Sequence, residues 1–268
     1  MIIDWRSYCI YSIKKWNPSE SGSFFQRQER LMTQITDTDL KSGELFDRAL
    51  SNIRHLLGNS VSTLKITLEV LLENYDQFDE TKKNEFLERA VNQVALQQRL
   101  LESMKTYSRS VVNRIQTINF DEFWHDWIQE KREELAGEGI RLMVEEPEKP
   151  CYVLGESKVL NLVFNAVIAN AIEALMQIDD PLIEITSFAS DDLRIVIRDN
   201  GCGIEKDKLE KVFIPFYSKD SDKSGLGLPL ARKLLVAMGG GIAVDSRPGE
   251  GTSVCIQLKR AHRDRPPG

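Results

Sequence analysis

Five short segments between residues 165 and 253 carry residue types that could together bind a nucleotide. In chain order they are NAVIANAIEAL (165–175), DNGCGI (199–204), FIPFYS (213–218), KSGLGLP (223–229) and RPGEGTS (247–253). A single glycine motif is weak evidence for any site. Each of these five suits a different part of one nucleotide site, so their order and spacing predict that the chain binds ATP with magnesium.

The second segment could recognise a base. Asp199 ends a predicted strand, and its carboxylate can accept a hydrogen bond from the amino group of adenine. Gly201 and Gly203 would let the backbone come close to the base, because glycine lacks a β-carbon. The competing interpretation is a plain turn at the end of a strand, since Asp-Asn-Gly is a common turn sequence.

The fourth segment could hold phosphate. Gly225 and Gly227 lie just before a predicted helix, where backbone N–H groups and the helix dipole favour an anion. Lys219 and Lys223 precede them and could meet phosphate oxygens as point charges. The stretch 218–225 would then be a lid over the nucleotide. The alternative is a flexible loop with a solvated run of charges.

Asn170 is a polar side chain in the middle of an apolar helix, where an unpaired amide would be costly. It either joins a buried polar network or offers its carbonyl oxygen to magnesium, which prefers oxygen ligands. The residue alone leaves both interpretations open.

Composition argues against several other classes of function. The 268 residues have a formal net charge of -6, so no overall basic field favours nucleic acid or an anionic membrane. The four cysteines show no pairing or metal-binding spacing, which fits the reducing cytoplasm. No apolar stretch approaches the roughly 20 residues that span a bilayer. We therefore expect a cytoplasmic chain without a membrane segment.

Two predicted helices between residues 41 and 109 form a hairpin. Apolar residues in steps of three and four mark one face of each helix. On the first they are Phe46, Leu50, Ile53, Leu57, Val61, Leu64, Leu68 and Leu71, and on the second Leu87, Ala90, Val94, Leu101 and Met104. A hairpin cannot bury such faces alone, so pairing of two copies into a four-helix bundle predicts a homodimer. A bundle formed within one chain, with an N-terminal helix, is the alternative.

The remaining segments predict an α+β chain in which the hairpin precedes a two-layer α/β sandwich. Helices at 120–139 and 157–177 alternate with strands that mostly pair antiparallel. The predicted domains are an N-terminal segment of unassigned role (1–40), the helical hairpin (41–117), an ATP-binding domain (118–260) and a disordered tail (261–268).

Together these segments resemble the ATP-binding domain shared by bacterial sensor histidine kinases, Hsp90, DNA gyrase and MutL, over roughly residues 118–258. The resemblance implies a Bergerat-type sandwich in which Asn170 holds magnesium, Asp199 reads adenine and Thr252 lies near the base. It also implies that two phenylalanines anchor the lid. The residues implied at the ATP site are Asn170, Asp199, Gly201, Gly203, Phe213, Phe216, Gly225, Gly227 and Thr252.

Within that superfamily, the FIPFYS segment, the NAIEA ending and GLGLPLAR resemble histidine kinases. The Hsp90 and MutL branches have a glutamate four residues before the magnesium asparagine, which activates water. Ala166 stands at that position here, and Asn165 is turned about 100° further round the helix. Fast ATP hydrolysis is therefore not expected.

A histidine kinase also needs an acceptor histidine on its hairpin. Of the three histidines, His55 alone lies on the first hairpin helix. It points nearly opposite Ile53 and Leu57, so we expect it to be exposed. Asn59 lies one turn further on the same face, where the resemblance implies a residue that positions water for dephosphorylating the partner.

The chain departs from the family pattern next to His55. Leu56 replaces the acidic residue that usually serves as base, and Ser60 replaces the usual proline after Asn59. Loss of a positioned base typically lowers a rate by on the order of 10²–10⁴. Lys223 also replaces the first glycine common in the phosphate loop.

The sequence therefore predicts a homodimeric sensor histidine kinase core. It would phosphorylate His55 from ATP and pass the phosphoryl group to an aspartate on the receiver domain of a response regulator. Two alternatives remain open. One is an ATP-binding scaffold or regulator phosphatase without autokinase activity, and the other is a serine kinase of the anti-sigma type, which normally lacks a dimerisation hairpin.

Overall fold

The computed structural model describes residues 42–145, 151–218 and 224–261. It divides into two compact units. One contains the helical region 41–111 together with residues 211–230, and the other contains the described parts of 112–210 and 231–268. Each unit is considered by itself below.

The first unit is built on an antiparallel helical hairpin. Helix α1 spans Ser42–Glu73 and helix α2 spans Glu80–Arg109. Asn74 ends α1 by donating a side-chain bond to the Val70 carbonyl at 2.9 Å. The Asp79 side chain caps α2 by accepting a bond from the Lys82 amide at 2.8 Å. The two helices predicted between residues 41 and 109 are thus joined by a turn at residues 74–79.

The hairpin interior is partly polar. Ser60 is buried, donates its hydroxyl hydrogen to Gln93 at 3.1 Å and accepts a bond from Gln97 at 3.3 Å. Leu71 and Leu100 are buried on the facing helices. Many other apolar side chains of the hairpin stay exposed, among them Val61, Leu68, Leu72, Leu87, Val91, Val94 and Leu101. We refer to these seven side chains as the apolar stripe.

The second unit combines a five-stranded sheet, a two-stranded sheet and helices. The five-stranded sheet has the order β2-β4-β5-β7-β6, and all its neighbours are antiparallel except the parallel pair β2 and β4. Strands β1 and β3 form the second, antiparallel sheet. The strands are β1 Gln116–Asn119, β2 Arg141–Glu145, β3 Tyr152–Gly155, β4 Leu182–Ala189, β5 Asp192–Asp199, β6 Gly241–Arg247 and β7 Gly251–Lys259.

The helices of this α/β region cover the sheet. They are α3 Phe120–Gly137, α4 Ser157–Leu175, the short α5 Lys206–Leu209, and α6 Gly227–Ala237, which begins within the hairpin unit. Helix α3 packs over β2, and α4 packs over β5 and β7. On β5 the alternate residues Leu193, Ile195 and Ile197 are almost completely buried, as expected for the core face of a strand. Phe164 of α4 packs edge-on against Trp124 of α3, with ring centroids 5.2 Å apart.

This architecture confirms the predicted α+β fold class. The helices predicted at 120–139 and 157–177 begin at the predicted residues and each ends two residues early, whereas β1 and α5 were not predicted. Within the described residues one helix, Ser157–Leu175, is long and apolar enough to cross a membrane, although no apolar stretch of that kind was expected. Eight of its side chains are buried in this unit, which is the pattern of a core helix.

Candidate nucleotide site and acceptor histidine

Asp199 lies at the end of β5 with its side chain buried, 5% exposed. Its Oδ1 accepts hydrogen bonds from the amides of Gly201 at 2.9 Å and Thr252 at 3.2 Å. Oδ2 takes part in neither bond. Burial raises the pKa of the carboxyl group, and the two amide bonds oppose that rise. The backbone thus holds the carboxylate in place through Oδ1. Oδ2 lies outside these two bonds, where it could accept a hydrogen bond from an amino group.

The loop after β5 is packed so closely that two positions admit only glycine. A β-carbon on Gly201 would lie 2.6 Å from the Ala174 carbonyl oxygen. Gly203 has a φ of 69°, and a β-carbon there would collide with the backbone of Arg247. These contacts bring the loop against the end of α4 and the β6–β7 turn. The predicted Gly201 and Gly203 therefore both lie beside Asp199.

Ser246 is a residue of this region that the sequence did not single out. Its hydroxyl shares a 3.0 Å hydrogen bond with the Thr252 hydroxyl, and the same oxygen accepts a bond from the Ile204 amide at 2.8 Å. Ser246 pairs with Thr252 in the β6–β7 register. That register places both hydroxyl groups next to the Asp199 loop, and only a correct hairpin alignment could have revealed it.

Asn170 lies in the second half of α4, and its Nδ2 atom is buried without a hydrogen-bond partner among the described residues. A buried amide N–H without a partner is unusual in a folded protein, and an acceptor oxygen of a ligand could satisfy it. The neighbouring Asn165 is fully engaged: its Oδ1 accepts a bond from Trp127 at 3.1 Å, and its Nδ2 donates to Asn161 at 2.9 Å. Asn165 is therefore a structural residue, and Ala166 offers no hydrolytic base.

The lid-flanking residues belong to the hairpin unit. Phe216 is buried and donates its backbone N–H to the Gly225 carbonyl at 3.2 Å, which closes the base of the loop between them. Gly227 is the first residue of α6. The predicted phosphate ligands Lys219 and Lys223 lie outside the described residues. The glycines are thus at a helix start, as an anion site requires.

Phe216 is part of an apolar cluster with residues of the hairpin. The buried members are Ala49, Phe216 and Leu226, and the half-buried side chains packed against them are Ile53, Leu56, Met104 and Tyr107. We call these seven residues the docking cluster. The Asn52 amide adds a polar contact by donating to the Pro215 carbonyl at 3.2 Å.

His55 is exposed on α1, as its helical position predicts. Its Nδ1 lies 3.2 Å from Nδ2 of Asn59, which is also exposed. The adjacent Leu56 turns into the docking cluster, and Ser60 turns into the hairpin interior. The exposure of His55 and Asn59 is consistent with the predicted acceptor site, and no acidic side chain follows the histidine.

A family model matches the C-terminal part of the α/β region. Residues 155–262 match the family described as histidine kinase-, DNA gyrase B- and HSP90-like ATPase. The match contains each of the predicted adenine and magnesium residues of this unit, namely Asn170, Asp199, Gly201, Gly203 and Thr252.

Curated relatives are sensor kinases. The chain is 28% identical over 233 residues to the methanogenesis regulatory histidine kinase FilI of Methanothrix harundinacea, covering 85% of this chain and 26% of that protein. It is 24% identical over 237 residues to the sensor histidine kinase YcbM of Bacillus subtilis, covering 85% of this chain and 76% of YcbM. The chain thus spans only about a quarter of FilI.

Solved structures show the same fold. The histidine kinase AdeS of Acinetobacter baumannii aligns with 78% of this chain and 98% of its own, at 21% identity and a TM-score of 0.52. The histidine kinase ThkA, solved in complex with the response regulator TrrA, aligns with 89% of this chain and 67% of its own, at 20% identity and a TM-score of 0.58. At these identities the likeness shows the fold alone. Residues 155–262 match the ATPase domain of this family, and the chain is similar to sensor histidine kinases over 85% of its length, which supports the predicted sensor histidine kinase core.

Proposed function

We propose that the chain is an ATP-dependent protein-histidine kinase that phosphorylates His55. The observation that carries the proposal is the exposed His55–Asn59 pair on a helical hairpin, in the same chain as an ATP-binding domain. Because ATP is the phosphoryl donor, we place the reaction in the cytoplasm.

The adenine end of the site is supplied by Asp199 and the loop around it. Oδ2 of Asp199 would accept a hydrogen bond from the adenine amino group, while the Thr252 and Ser246 hydroxyls lie beside it. Gly225 and Gly227 would offer backbone N–H groups to phosphate.

Asn170 fits the magnesium ion that such kinases use. The carbonyl oxygen of its amide is a ligand that magnesium accepts. Its buried Nδ2, which has no partner among the described residues, would be free to donate a hydrogen bond to a phosphate oxygen. Bound magnesium would neutralise charge on the phosphates and help to orient them. Asn170 would hold the ion, and Ala166 leaves no base to direct water at the γ-phosphate.

The transfer forms one bond and breaks one. A ring nitrogen of His55 attacks the γ-phosphorus, the bond from that phosphorus to the bridging oxygen breaks, and ADP leaves. The nitrogen must present a lone pair, and the contact with Asn59 decides which nitrogen does. If the Asn59 amide is turned so that its oxygen accepts a hydrogen bond from Nδ1–H, then Nε2 carries the lone pair and is the nucleophile. If instead the amide nitrogen donates to Nδ1, Nε2 keeps its proton and cannot attack.

In the second reaction the phosphoryl group would pass to a receiver domain. An aspartate carboxylate of a response regulator attacks phosphorus, the phosphorus–nitrogen bond breaks, and His55 is regenerated. ThkA was solved with such a regulator, which supports this class of partner. With Leu56 in place of an acid, we expect the first reaction to be slower by on the order of 10²–10⁴ than with a positioned base.

We also propose that two copies pair through the hairpin. The apolar stripe is exposed on the isolated chain, and Val91 is 66% exposed. Exposed apolar side chains that recur along one face of a helix are typical of an interface. Pairing two hairpins buries both stripes in a four-helix bundle.

A second candidate function is an ATP-bound scaffold or regulator phosphatase. It is favoured by Leu56, which lies in the docking cluster and brings no base to His55. The serine kinase of the anti-sigma type is less well supported, since α1 and α2 form a hairpin that this type normally lacks.

Incubation with γ-labelled ATP and magnesium separates these functions. We expect acid-labile label on the wild type, and none on His55→Ala or Asn170→Ala. His125→Ala is the matched control, because it removes a histidine from α3, outside the hairpin. Nucleotide binding without any label would favour the scaffold, and acid-stable label retained by His55→Ala would favour the serine kinase.

A further inference from the structure

Three polar side chains form one row across three neighbouring strands of the five-stranded sheet. Asp199 of β5 pairs with Thr252 of β7, and Thr252 pairs with Ser246 of β6. Residues that pair directly across antiparallel strands project from the same face of a sheet. Thr252 is buried and Ser246 is half-buried. The carboxylate proposed to bind adenine is therefore followed, strand by strand, by two hydroxyl groups.

The hydroxyl group of Ser246 makes three close contacts. Its oxygen accepts a hydrogen bond from the Ile204 amide at 2.8 Å. The same oxygen lies 2.8 Å from the Gly251 carbonyl oxygen and 3.0 Å from the Thr252 hydroxyl oxygen. A carbonyl oxygen only accepts hydrogen bonds, so the contact with Gly251 requires the single hydroxyl hydrogen of Ser246. This hydrogen is then not available to Thr252.

Only one arrangement of the hydroxyl hydrogens makes all three contacts hydrogen bonds. Ser246 donates to the Gly251 carbonyl, and Thr252 donates to Ser246. If Ser246 donated to Thr252 instead, its oxygen and the Gly251 carbonyl oxygen would face each other at 2.8 Å without a hydrogen between them. A hydroxyl group has one hydrogen and two lone pairs, so the Ser246 hydroxyl is saturated. The only hydrogen of the Thr252 hydroxyl is committed to Ser246.

The committed hydrogen determines what Thr252 can offer to a base. Its hydroxyl oxygen has lone pairs left but no hydrogen to give, so toward a ligand it is an acceptor. Asp199 has the same character, because Oδ1 accepts bonds from the amides of Gly201 and Thr252 and Oδ2 lies outside these two bonds. An amino group at position 6 of a purine can donate to such acceptors. A 6-oxo group would instead bring another oxygen against them.

A water molecule between Thr252 and the base would lead to the same preference. If the Thr252 oxygen accepts one hydrogen of the water, the other hydrogen can be donated to N1 of the purine. N1 of a 6-aminopurine is an acceptor, whereas N1 of a 6-oxopurine carries a hydrogen. Both the direct and the water-mediated contact therefore favour a 6-aminopurine.

We propose that Ser246 is a positioning residue that sets nucleotide specificity by holding the Thr252 hydroxyl as a hydrogen-bond acceptor. With Ser246 in place, the base end of the site favours 6-aminopurine over 6-oxopurine nucleotides. Without Ser246, the Thr252 hydroxyl is free to rotate and to donate, so a 6-oxopurine is accepted more readily. The inference rests on the proposed function, in which Asp199 and Thr252 lie beside the base.

Competition between two nucleotides tests this inference in the whole chain. A fluorescent ATP analogue labelled on the ribose is bound with magnesium and displaced by ATP or by ITP, the 6-oxo counterpart. We expect Ser246→Ala to lower the preference for ATP over ITP by about three- to tenfold, as for one hydrogen bond. Ser246→Thr keeps the hydroxyl and should keep the wild-type preference. Ser253→Ala is the matched control, because it makes the same truncation on the opposite face of β7.

Thr252→Val separates control of the hydroxyl from a general effect on the loop. By removing the acceptor it should itself lower the preference for ATP, and adding Ser246→Ala to it should cause no further change. A preference that Ser246→Ala leaves unchanged, or lowers equally with and without the Thr252 hydroxyl, would overturn the inference. A preference that rises in Thr252→Val would also overturn it, because the hydroxyl would then be a donor. Failure of the wild type to bind the analogue would instead overturn the proposed function.

Discussion

The contact between Asn59 and His55 links the reactivity of the imidazole to the orientation of one amide group. Nδ1 of His55 and Nδ2 of Asn59 are 3.2 Å apart, so the orientation of the amide can determine the tautomer of the imidazole. Leu56, which stands where the family pattern has an acidic base, is turned into the docking cluster and offers the imidazole no polar contact. At this scale the chain's departure from the family pattern has a direct chemical consequence.

Replacing Asn59 by aspartate should therefore accelerate autophosphorylation. A carboxylate only accepts hydrogen bonds, so Asn59→Asp holds the proton on Nδ1 and leaves Nε2 nucleophilic. We expect the initial rate to rise by at least about tenfold, since a positioned base contributes more than that elsewhere. Ser62→Asp adds the same charge on the exposed surface of α1 and controls for electrostatics. An unchanged rate in Asn59→Asp would mean that the Asn59 contact does not govern the tautomer.

Asp199 should make nucleotide affinity sensitive to mild acid. Burial raises the pKa of its carboxyl group, so the protonated form, which cannot accept the adenine bond in the same way, appears at a higher pH than for an exposed aspartate. Titrations with the fluorescent ATP analogue should show affinity falling as the pH is lowered through this raised pKa. Asp199→Asn should bind weakly without that dependence. A wild-type affinity that is flat down to the ordinary aspartate range, about 3.9, would contradict this assignment.

The same shift has a consequence for stability. A carboxyl group whose pKa is raised by folding favours the folded state in its protonated form. This contribution is present below the pKa of the unfolded chain and is lost as the pH rises through the raised pKa of the folded chain. At neutral pH, Asp199→Asn should accordingly have a higher melting temperature than the wild type. In acid the two melting temperatures should converge. Calorimetry at neutral pH and in acid measures both differences.

Among the structural elements, the loop between β5 and α5 depends most on a single residue. Gly203 combines a φ of 69° with contact to the Arg247 backbone. Gly203→Ala should lower the free energy of unfolding by more than the roughly 1 kcal/mol of left-handed strain alone. Gly139→Ala is the matched control, because Gly139 has a φ of 73° and open space where the methyl group would go. Equal losses in the two variants, measured by urea unfolding, would show that the Arg247 contact yields easily.

How far the sequence predicts each element depends on its length and periodicity. Helices α3 and α4 are long, strongly patterned segments, and the sequence predicts their positions to within two residues. Strand β1 and helix α5 have four residues each, too few to show a period. The parallel pairing of β2 with β4 arises from tertiary packing, which local pattern cannot reveal.

The residues of the candidate site likewise differ in how far the sequence predicts them. Asp199 and Gly203 follow from the motif itself, because strand end and tight loop are local features. Ser246 does not, since only the register of β6 with β7 sets it beside Thr252. Leu56 is visible in the sequence as a missing acid, but its contact with the segment of Phe216 joins residues far apart in the chain.

At the scale of the whole molecule, the apolar stripe predicts a dimer. Val91 and Val94 lie on the exposed side of α2, where glutamates would be buried without partners in a four-helix bundle. The double variant Val91→Glu and Val94→Glu should sediment as a monomer at concentrations where the wild type is a dimer. Gln98→Glu, on the exposed surface of the same helix, is the charge control. A wild type that sediments as a monomer would contradict pairing through the hairpin.

The central claim is that ATP phosphorylates His55, and mapping the modified residue tests it most directly. Wild-type protein is incubated with ATP and magnesium, digested near neutral pH to preserve a phosphorus–nitrogen bond, and analysed by mass spectrometry. We predict one phosphoryl group on the peptide that contains His55, assigned to its imidazole and absent when magnesium is chelated. A phosphoryl group on a serine, or an unmodified His55 in protein that demonstrably binds ATP, would contradict the account.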